Sequence, residues 1–294
     1  MLNYSVAELR KNFVAAEDAH GNVYIVSYGN GLFIYNPKED ELQHFSAADK
    51  DPLFHSDFLL NIFIDRSGCI WICTGDGVYC CRELKDLYTE HVKIEPNTNR
   101  EWSNYVRHIS NIGNDKLAVS TRANRTYIYD TRTQQRTLER QTDACVYDYA
   151  IDPQGKKWIS TKGDGIYIDN VRYSKYKKEH YAPGAAFYKT IFDKQGRAWI
   201  ATWGEGLLIT PQTMGQQPRK FEQFLNADGK EAQIHDLLLD RKGRLWVCSN
   251  NGILMVNTAE KKITAQKFLR FSDENGKLPV SEINCGIEAH DGKL

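Results

Sequence analysis

Two sets of side chains in this sequence are of types that can do chemistry. Cys69, Cys73, Cys80 and Cys81 crowd one stretch, and zinc is held by thiolates in pairs such as C-x-x-C. Here Cys69 and Cys73 share one strand and no second C-x-x-C follows. Cys73 and Cys248 also fill a position that Ala201, Ser160 and Val26 fill elsewhere, which marks a small packing slot. With Cys145 and Cys285 the chain has seven cysteines, an odd number, and no disulfide framework is expected. The second set is Asn61, His108, Asp148 and Asp236, each seven residues before a tight turn. Such groups converging on a channel mouth could hold a metal or act as acid and base. Val14, Lys189 and Cys285 hold the same place, so the mixture reads instead as a solvated, hydrogen-bonding channel lining. No cofactor and no metal is expected. The eight histidines show no ligand spacing, and no nucleophile elbow, phosphate loop or dinucleotide fingerprint occurs. Gly29-Asn30-Gly31 and Gly204-Glu205-Gly206 read as hairpin turns, because no helix follows them.

The elements that would position these groups recur. Asp193-Lys194-Gln195-Gly196-Arg197-Ala198-Trp199-Ile200-Ala201-Thr202 reads as turn then strand, with a second glycine turn at Gly204 and Gly206. Copies run through Asp18, Asp65, Asp152 and Asp240, and a worn copy through Asp115 carries Arg122-Ala123-Asn124-Arg125 in place of the second glycine turn. Turn residues at 21, 68, 115, 155, 196, 243 and 292 give steps of 40 to 49 residues. That period, four β-rich segments per unit and no helical periodicity describe an all-β β-propeller of four-stranded blades. The units fall near residues 13–57, 58–104, 105–144, 145–185, 186–232 and 233–279, with 280–294 opening another. One domain of the seven-bladed type is expected, with six complete blades and the start of a seventh. In the fifth unit the strands should run Tyr188–Asp193, Ala198–Thr202, Leu207–Thr210 and near Lys220–Phe224. Strand two is apolar throughout, as neighbours on both faces require. Four of the six tryptophans sit three residues after the turn, as inter-blade packing.

Composition bounds the function. The 294 residues carry 38 basic and 38 acidic side chains, so nothing favours nucleic acid as a partner. Hydrophobic residues make up 41%, enough for a core. The longest apolar run, Phe58 to Ile64, is broken by Asn61 and is too short to cross a bilayer. The first residues lack the pattern of a signal peptide.

The repeated Asp-x-x-Gly-x-Ile/Ala-Trp-Ile-x-Thr, seen at Asp65–Thr74 and Asp193–Thr202 and again at Asp152–Thr161 and Asp240–Ser249, resembles the two-component regulator propeller repeat. The resemblance implies a periplasmic sensor module of a hybrid two-component histidine kinase of Bacteroidetes-type bacteria. Its partners would be an oligosaccharide or other small polar ligand and the further propeller and kinase parts of a parent chain. The implied role is carbohydrate sensing for transcription regulation, without catalysis. A propeller enzyme with a channel metal or acid–base site, and a protein-docking scaffold, are the alternatives. The chain starts and stops inside the array, so a fragment is expected that leaves a gap or borrows a sheet edge from a second molecule as a homodimer.

Ligands of propellers commonly use the face of the second turns. The residues there differ between units, which suits a face free of packing duty: Tyr28, Asp76, Arg122, Asn124, Arg125, Lys162, Asp164, Trp203, Glu205, Asn250 and Asn251. Trp203 lies outside the repeated tryptophan slot and is the candidate platform for a sugar ring. The Asp residues before the first turns are expected to be structural, each accepting turn N–H groups and worth ~1 kcal/mol.

Overall fold

The computed structural model describes residues 13–50, 52–65, 68–81, 89–98, 102–169, 171–173, 186–204, 206–210, 233–289 and 292–294. They form a propeller of six consecutive antiparallel sheets. Blade 1 is β1 Phe13–Glu17, β2 Val23–Ser27, β3 Gly31–Asn36 and β4 Glu41–Phe45. Blade 2 is β5 Leu59–Ile64, β6 Ile70–Thr74, β7 Gly77–Cys81 and β8 Thr89–Val92. Blade 3 is β9 Val106–Gly113, β10 Lys116–Thr121, β11 Arg125–Asp130 and β12 Arg136–Gln141. Blade 4 is β13 Val146–Ile151, β14 Lys157–Thr161, β15 Ile166–Ile168 and β16 Val171–Tyr173. Blade 5 shows β17 Ala186–Phe192, β18 Ala198–Trp203 and β19 Leu207–Ile209, and blade 6 is β20 Ile234–Leu239, β21 Arg244–Ser249, β22 Gly252–Asn257 and β23 Leu269–Phe271. The fourth strand expected near Lys220–Phe224 lies outside the described residues.

The worn third unit folds as fully as the rest. Asn114 and Asp115 take left-handed φ of 53° and 57° and close the β9–β10 hairpin, and Asn124 at φ 61° stands in for glycine in the next turn. Asn and Asp tolerate this region at modest cost. In blades 1 and 6 the second turn demands glycine for a further reason. A Cβ on Gly31 or Gly252 would sit 2.2 Å from the carbonyl oxygen of Phe45 or Phe271, where the outermost strand passes the turn.

The core lies between blades. Five apolar clusters fill the five interfaces between consecutive blades. Strand two explains why it is apolar throughout: Ile70 and Ile72 pack toward blade 1, whereas Trp71 and Cys73 pack toward blade 3. Trp71, Trp158 and Trp199 thus each face the following blade. Trp71, Trp158 and Trp199 are buried there, and Trp246 of blade 6 is only half-buried.

The Asp before each first turn is the internal clasp of its hairpin. Asp193 Oδ1 accepts from Gln195 N at 3.0 Å and Arg197 N at 2.9 Å, while Oδ2 accepts from Trp199 Nε1 at 2.8 Å. The same Asp-to-indole bond closes Asp65–Trp71 at 3.0 Å, Asp152–Trp158 at 3.0 Å and Asp240–Trp246 at 2.8 Å. In blade 1 Tyr24 OH replaces the indole, donating to Asp18 Oδ2 at 3.1 Å. Burial pushes the Asp18 carboxyl upward, but hydrogen bonds from Asn22, His20 and Tyr24 outweigh it and hold it below the ordinary range.

After blade 6 the chain runs without a described strand from 280 to 289, so the structure shows six blades and not seven. The backbone bonds that flank the turn of the next unit are nonetheless in place. Gly292 N donates to Ala289 O at 2.9 Å and Ala289 N to Lys293 O at 2.8 Å, as Gly21 N does to Asp18 O and Asp18 N to Asn22 O in blade 1.

Candidate functional site

The innermost strands carry a constant irregularity. In blades 2 to 6 the pairing of strand one with strand two slips by a residue, which leaves Leu60, Arg107, Tyr147, Tyr188 and His235 as bulged residues. Bulges re-aim side chains, often next to sites. The residue after each bulge lines the channel, and these residues touch in ring order. Asn61 Nδ2 donates to His108 Nδ1 at 3.3 Å, so His108 carries its proton on Nε2. That Nε2 lies 3.5 Å from Asp148 Oδ1 and has no hydrogen-bond partner among the described residues. Asp148 Oδ2 accepts from Thr190 N at 2.7 Å. Lys189 Nζ meets Asp236 Oδ1 at 2.5 Å, and Asp236 Oδ2 accepts from Gly286 N at 3.3 Å.

Burial dominates the electrostatics of this ring. It drives the His108 imidazole down to about 3, helped by Arg107 and Lys189. It lifts the Asp148 carboxyl to about 7 against the Thr190 hydrogen bond and the Lys189 charge. Burial also opposes the Lys189 ammonium, but Asp236 prevails and its pKa is raised. Among the described residues no group of three His, Cys, Asp or Glu side chains could hold a metal ion.

The second turns and the inter-blade links form one rim, as Tyr28 bridges Phe58 and Arg122 N donates to Tyr105 O at 2.9 Å. The residue leaving strand two is equivalent in every blade: Tyr28, Gly75, Arg122, Lys162, Trp203 and Asn250. Trp203, 39% exposed, meets Tyr188 at a tilt at 5.3 Å and His235 edge-on at 5.7 Å. Tyr188 continues to Tyr147 at 4.7 Å, over which the Arg107 guanidinium lies at 4.4 Å. The Arg122 guanidinium covers Trp102 at 4.6 Å and Tyr105 at 4.9 Å. Tyr105 OH reaches Tyr28 OH at 3.5 Å, and Tyr28 meets Phe58 edge-on at 4.8 Å. Aromatic and cationic side chains therefore follow one another along the rim from blade 1 to blade 6.

The other residues expected on this face are used differently. Arg125 is held by both Glu95 oxygens at 2.8 and 2.7 Å. Asp164 is buried and accepts from Tyr167 OH at 2.5 Å and from Asp143 N at 3.2 Å. Asn124 is a turn residue whose Nδ2 donates to Asp143 O at 3.3 Å. Asn250 Oδ1 accepts from Gln233 N at 3.1 Å, and Asn251 N donates to Ser249 Oγ at 3.1 Å. The Asp76 carbonyl accepts from His91 Nε2 at 2.9 Å. Lys162 is exposed, and Glu205 lies outside the described residues. Sequence reasoning missed Arg107, Tyr147, Tyr188, His235, Trp102 and Tyr105. The signal for the first four was an Arg, Tyr or His eight residues before the turn.

Comparison with known proteins follows the same repeat. The family model described as two component regulator propeller matches residues 228–251, which include the Asp240–Trp246 clasp. No curated protein matches the chain in sequence. Among solved structures, the chain is similar to the extracellular domain of BT4673 from B. thetaiotaomicron. In one structure, described as of a one component system, TM-score is 0.71 and identity 17%, covering 96% of this chain and 36% of that chain. In another, described as of a hybrid two component system, TM-score is 0.66 and identity 15%, covering 89% and 37%. The chain therefore spans about a third of the length of those domains. Virginiamycin B lyase from Staphylococcus aureus is similar with a TM-score of 0.66 and 12% identity, covering 92% of this chain and 86% of that one. The fold thus occurs in extracellular domains of one- and two-component systems and in a lyase, and fold alone does not choose between them.

Proposed function

We propose that the chain is a non-catalytic ligand-sensing module of an extracytoplasmic, periplasmic signalling protein, and that its ligand is an oligosaccharide taken on the aromatic rim. One observation carries this reading. The exposed aromatics gather in two groups on that rim, Tyr28, Phe58 and Trp102 with Tyr105 and Arg122 over blades 1 to 3, and Trp203 with Tyr188 and His235 over blades 5 and 6. A docking scaffold would spread such rings, whereas a ligand site gathers them with a few polar groups. Sugar rings offer apolar C–H faces to indole and phenol, and hydroxyl edges to Arg, Asn and His. The resemblance of the repeat and the similarity to extracellular domains of two-component systems support the sensing role. Among the described residues no helix is long and apolar enough to cross a membrane, so any coupling to a kinase runs through other parts of a parent chain.

Trp203→Ala tests the site. Its loss should weaken oligosaccharide binding by tenfold or more in calorimetric titration while the melting temperature stays within ~2 °C; unchanged affinity would refute the assignment. A stoichiometric metal in the purified protein would favour channel chemistry instead.

We also propose that residues 280–294 form the inner edge of a seventh blade between blades 6 and 1. Ile283 N donates to Ser249 O at 3.0 Å, Gly286 N reaches Asp236, and a backbone hydrogen bond at Ala15 bears on the Cys285 thiol. A Cβ on Gly286 would lie 3.4 Å from Cys248 Sγ, two residues beyond half-buried Trp246 on β21. A chain continued through three more strands should melt higher than residues 1–294, and an equal melting temperature would count against a seventh blade.

A further inference from the structure

The aromatic group over blades 1 to 3 is held in place at a cost. Trp102, in the link that enters blade 3, has a φ of 66°. Left-handed backbone is strained for a bulky side chain, and every other non-glycine residue with such a φ among the described ones is Asp, Asn or Gln. The link is pinned to blade 3. Asn104 Oδ1 accepts from Glu95 N at 2.8 Å and Asn104 Nδ2 donates to Glu95 O at 3.1 Å, while the Glu95 carboxylate accepts from Arg125 Nη1 and Tyr127 OH, each at 2.8 Å. Tyr105 N donates to Trp102 O at 3.3 Å and closes the turn. The Tyr105 ring lies against Gly75, where a Cβ would come within 3.0 Å of it. Gly75 stands where the other blades carry Tyr28, Arg122, Lys162, Trp203 and Asn250, so blade 2 gives up a side chain to make room for this ring. With all this support the Trp102 indole is still 43% exposed, with Tyr105 edge-on at 5.4 Å and the Arg122 guanidinium over it at 4.6 Å. Folding gains little from straining the backbone to hold an indole in water, and strain of this kind gathers at ligand sites.

Resting on the oligosaccharide reading above, we infer that this group is a second saccharide subsite, separate from Trp203, with Trp102 as the stacking platform for one sugar ring. Arg122 and the Tyr28 hydroxyl border the platform. The guanidinium carries five N–H donors about its margin, suited to sugar hydroxyls and ring oxygens. Tyr28 OH stands 3.5 Å from Tyr105 OH, a long contact that leaves both phenols capacity for a hydroxyl of the ligand. Phe58, edge-on to Tyr28 at 4.8 Å, extends the apolar surface. A pyranose ring presents the complement, an apolar C–H face with hydroxyls around its edge. Arg122 already rests on Trp102 and Tyr105, so little freedom is lost when the sugar arrives.

The experiment is calorimetric titration and thermal melting of the 294-residue protein with neutral probes: xylohexaose, mannohexaose, cellohexaose and arabinohexaose. Trp102→Gly is the informative variant, because glycine adopts a φ of 66° without strain. It should melt within ~2 °C of wild type. It should also lose one of two bound equivalents, or bind about tenfold more weakly. Arg122→Gln should weaken the same binding about threefold. Trp102→Gly combined with Trp203→Ala should bind none of the probes. Binding unchanged in Trp102→Gly would overturn the second subsite, while any probe lost in Trp203→Ala would keep the oligosaccharide reading standing. A Trp102→Gly protein that melts more than ~4 °C lower would make the indole a packing residue and overturn the subsite as well. Binding lost in Trp102→Gly and kept in Trp203→Ala would uphold this subsite and refute the Trp203 platform. If no probe binds the wild-type protein, both readings fall.

Discussion

Replacing Asp193 by alanine should be far more damaging than the same change at Asp152, although the two occupy one position of the repeat. Asp152 accepts from Gln154 N, Lys156 N and Trp158 Nε1. Losing these leaves donors unmet and should cost ~1–3 kcal/mol. Asp193 accepts the equivalent three bonds and, in addition, Arg197 Nε at 2.7 Å; that arginine is 3% exposed. The Arg197 guanidinium also donates to the carbonyls of Glu260, at 3.1 Å, and Thr258. Alanine at 193 strands this buried cation in the interface of blades 5 and 6. Removing one partner of a buried pair typically costs ~3–5 kcal/mol. The sequence-level figure of ~1 kcal/mol for an Asp in this turn is therefore too small here. At about 2 °C per kcal/mol for a chain of this size, Tm should fall by roughly 6–10 °C. Urea unfolding of Asp193→Ala, Arg197→Leu and the double variant supplies the decisive number. Coupling of ~2 kcal/mol between the two sites is expected. Coupling below ~0.5 kcal/mol, or equal losses at positions 152 and 193, would refute the reasoning.

Three further outcomes are expected. Gly252→Ala and Gly31→Ala, where φ is +94° and +72° and a Cβ would meet a backbone carbonyl, should destabilise by more than ~2 kcal/mol, combining left-handed strain with the clash; Gly155→Ala, with nothing within 4 Å of its Cβ, should cost ~1 kcal/mol, and equal losses in urea melts would count against the close-approach argument. The Asp148 carboxyl, raised by burial to about 7, favours the folded state below pH ~4 and loses that contribution as pH climbs toward 7. Asp148→Asn should therefore gain stability relative to wild type between pH 4.5 and 7.5, and a constant offset in thermal melts would sink this. Burial raises the Cys73 and Cys248 thiols far above their ordinary value, so iodoacetamide at pH 8 should leave both unlabelled in the native protein and label them once urea unfolds it.

The propeller was readable because its cause is local and repeated. The Asp-x-x-Gly turn, the apolar second strand and the tryptophan three residues on recur with little change, and each has one packing duty. Even the worn unit obeyed, since Asn114, Asp115 and Asn124 supply the left-handed turns that glycine supplies elsewhere. The site was less legible. Trp203, Tyr28, Arg122 and Lys162 could be placed on the rim from their register alone. Arg107, Tyr147 and Tyr188 could not, because a bulge carries them there and period-two alternation hides a bulge. Arg125 and Asp164 looked available for a ligand, but their partners Glu95 and Tyr167 come from a distant link and an adjacent strand. Whether a polar side chain is already matched is a three-dimensional fact that spacing does not encode.

The Asp-to-indole clasp has a consequence for how such a molecule can arise and change. Carboxylate, turn amides and ring N–H all belong to a single hairpin, so a newly duplicated unit arrives with its polar demands met. Copying, deleting or exchanging whole blades therefore leaves the turn bonds intact, and what must be matched anew across the join is the channel ring, as in Asn61–His108, Asp148–Thr190 and Lys189–Asp236. The link from Arg197 to Thr258 and Glu260 is a departure from that independence, and it ties blades 5 and 6 into a pair that should be inherited together.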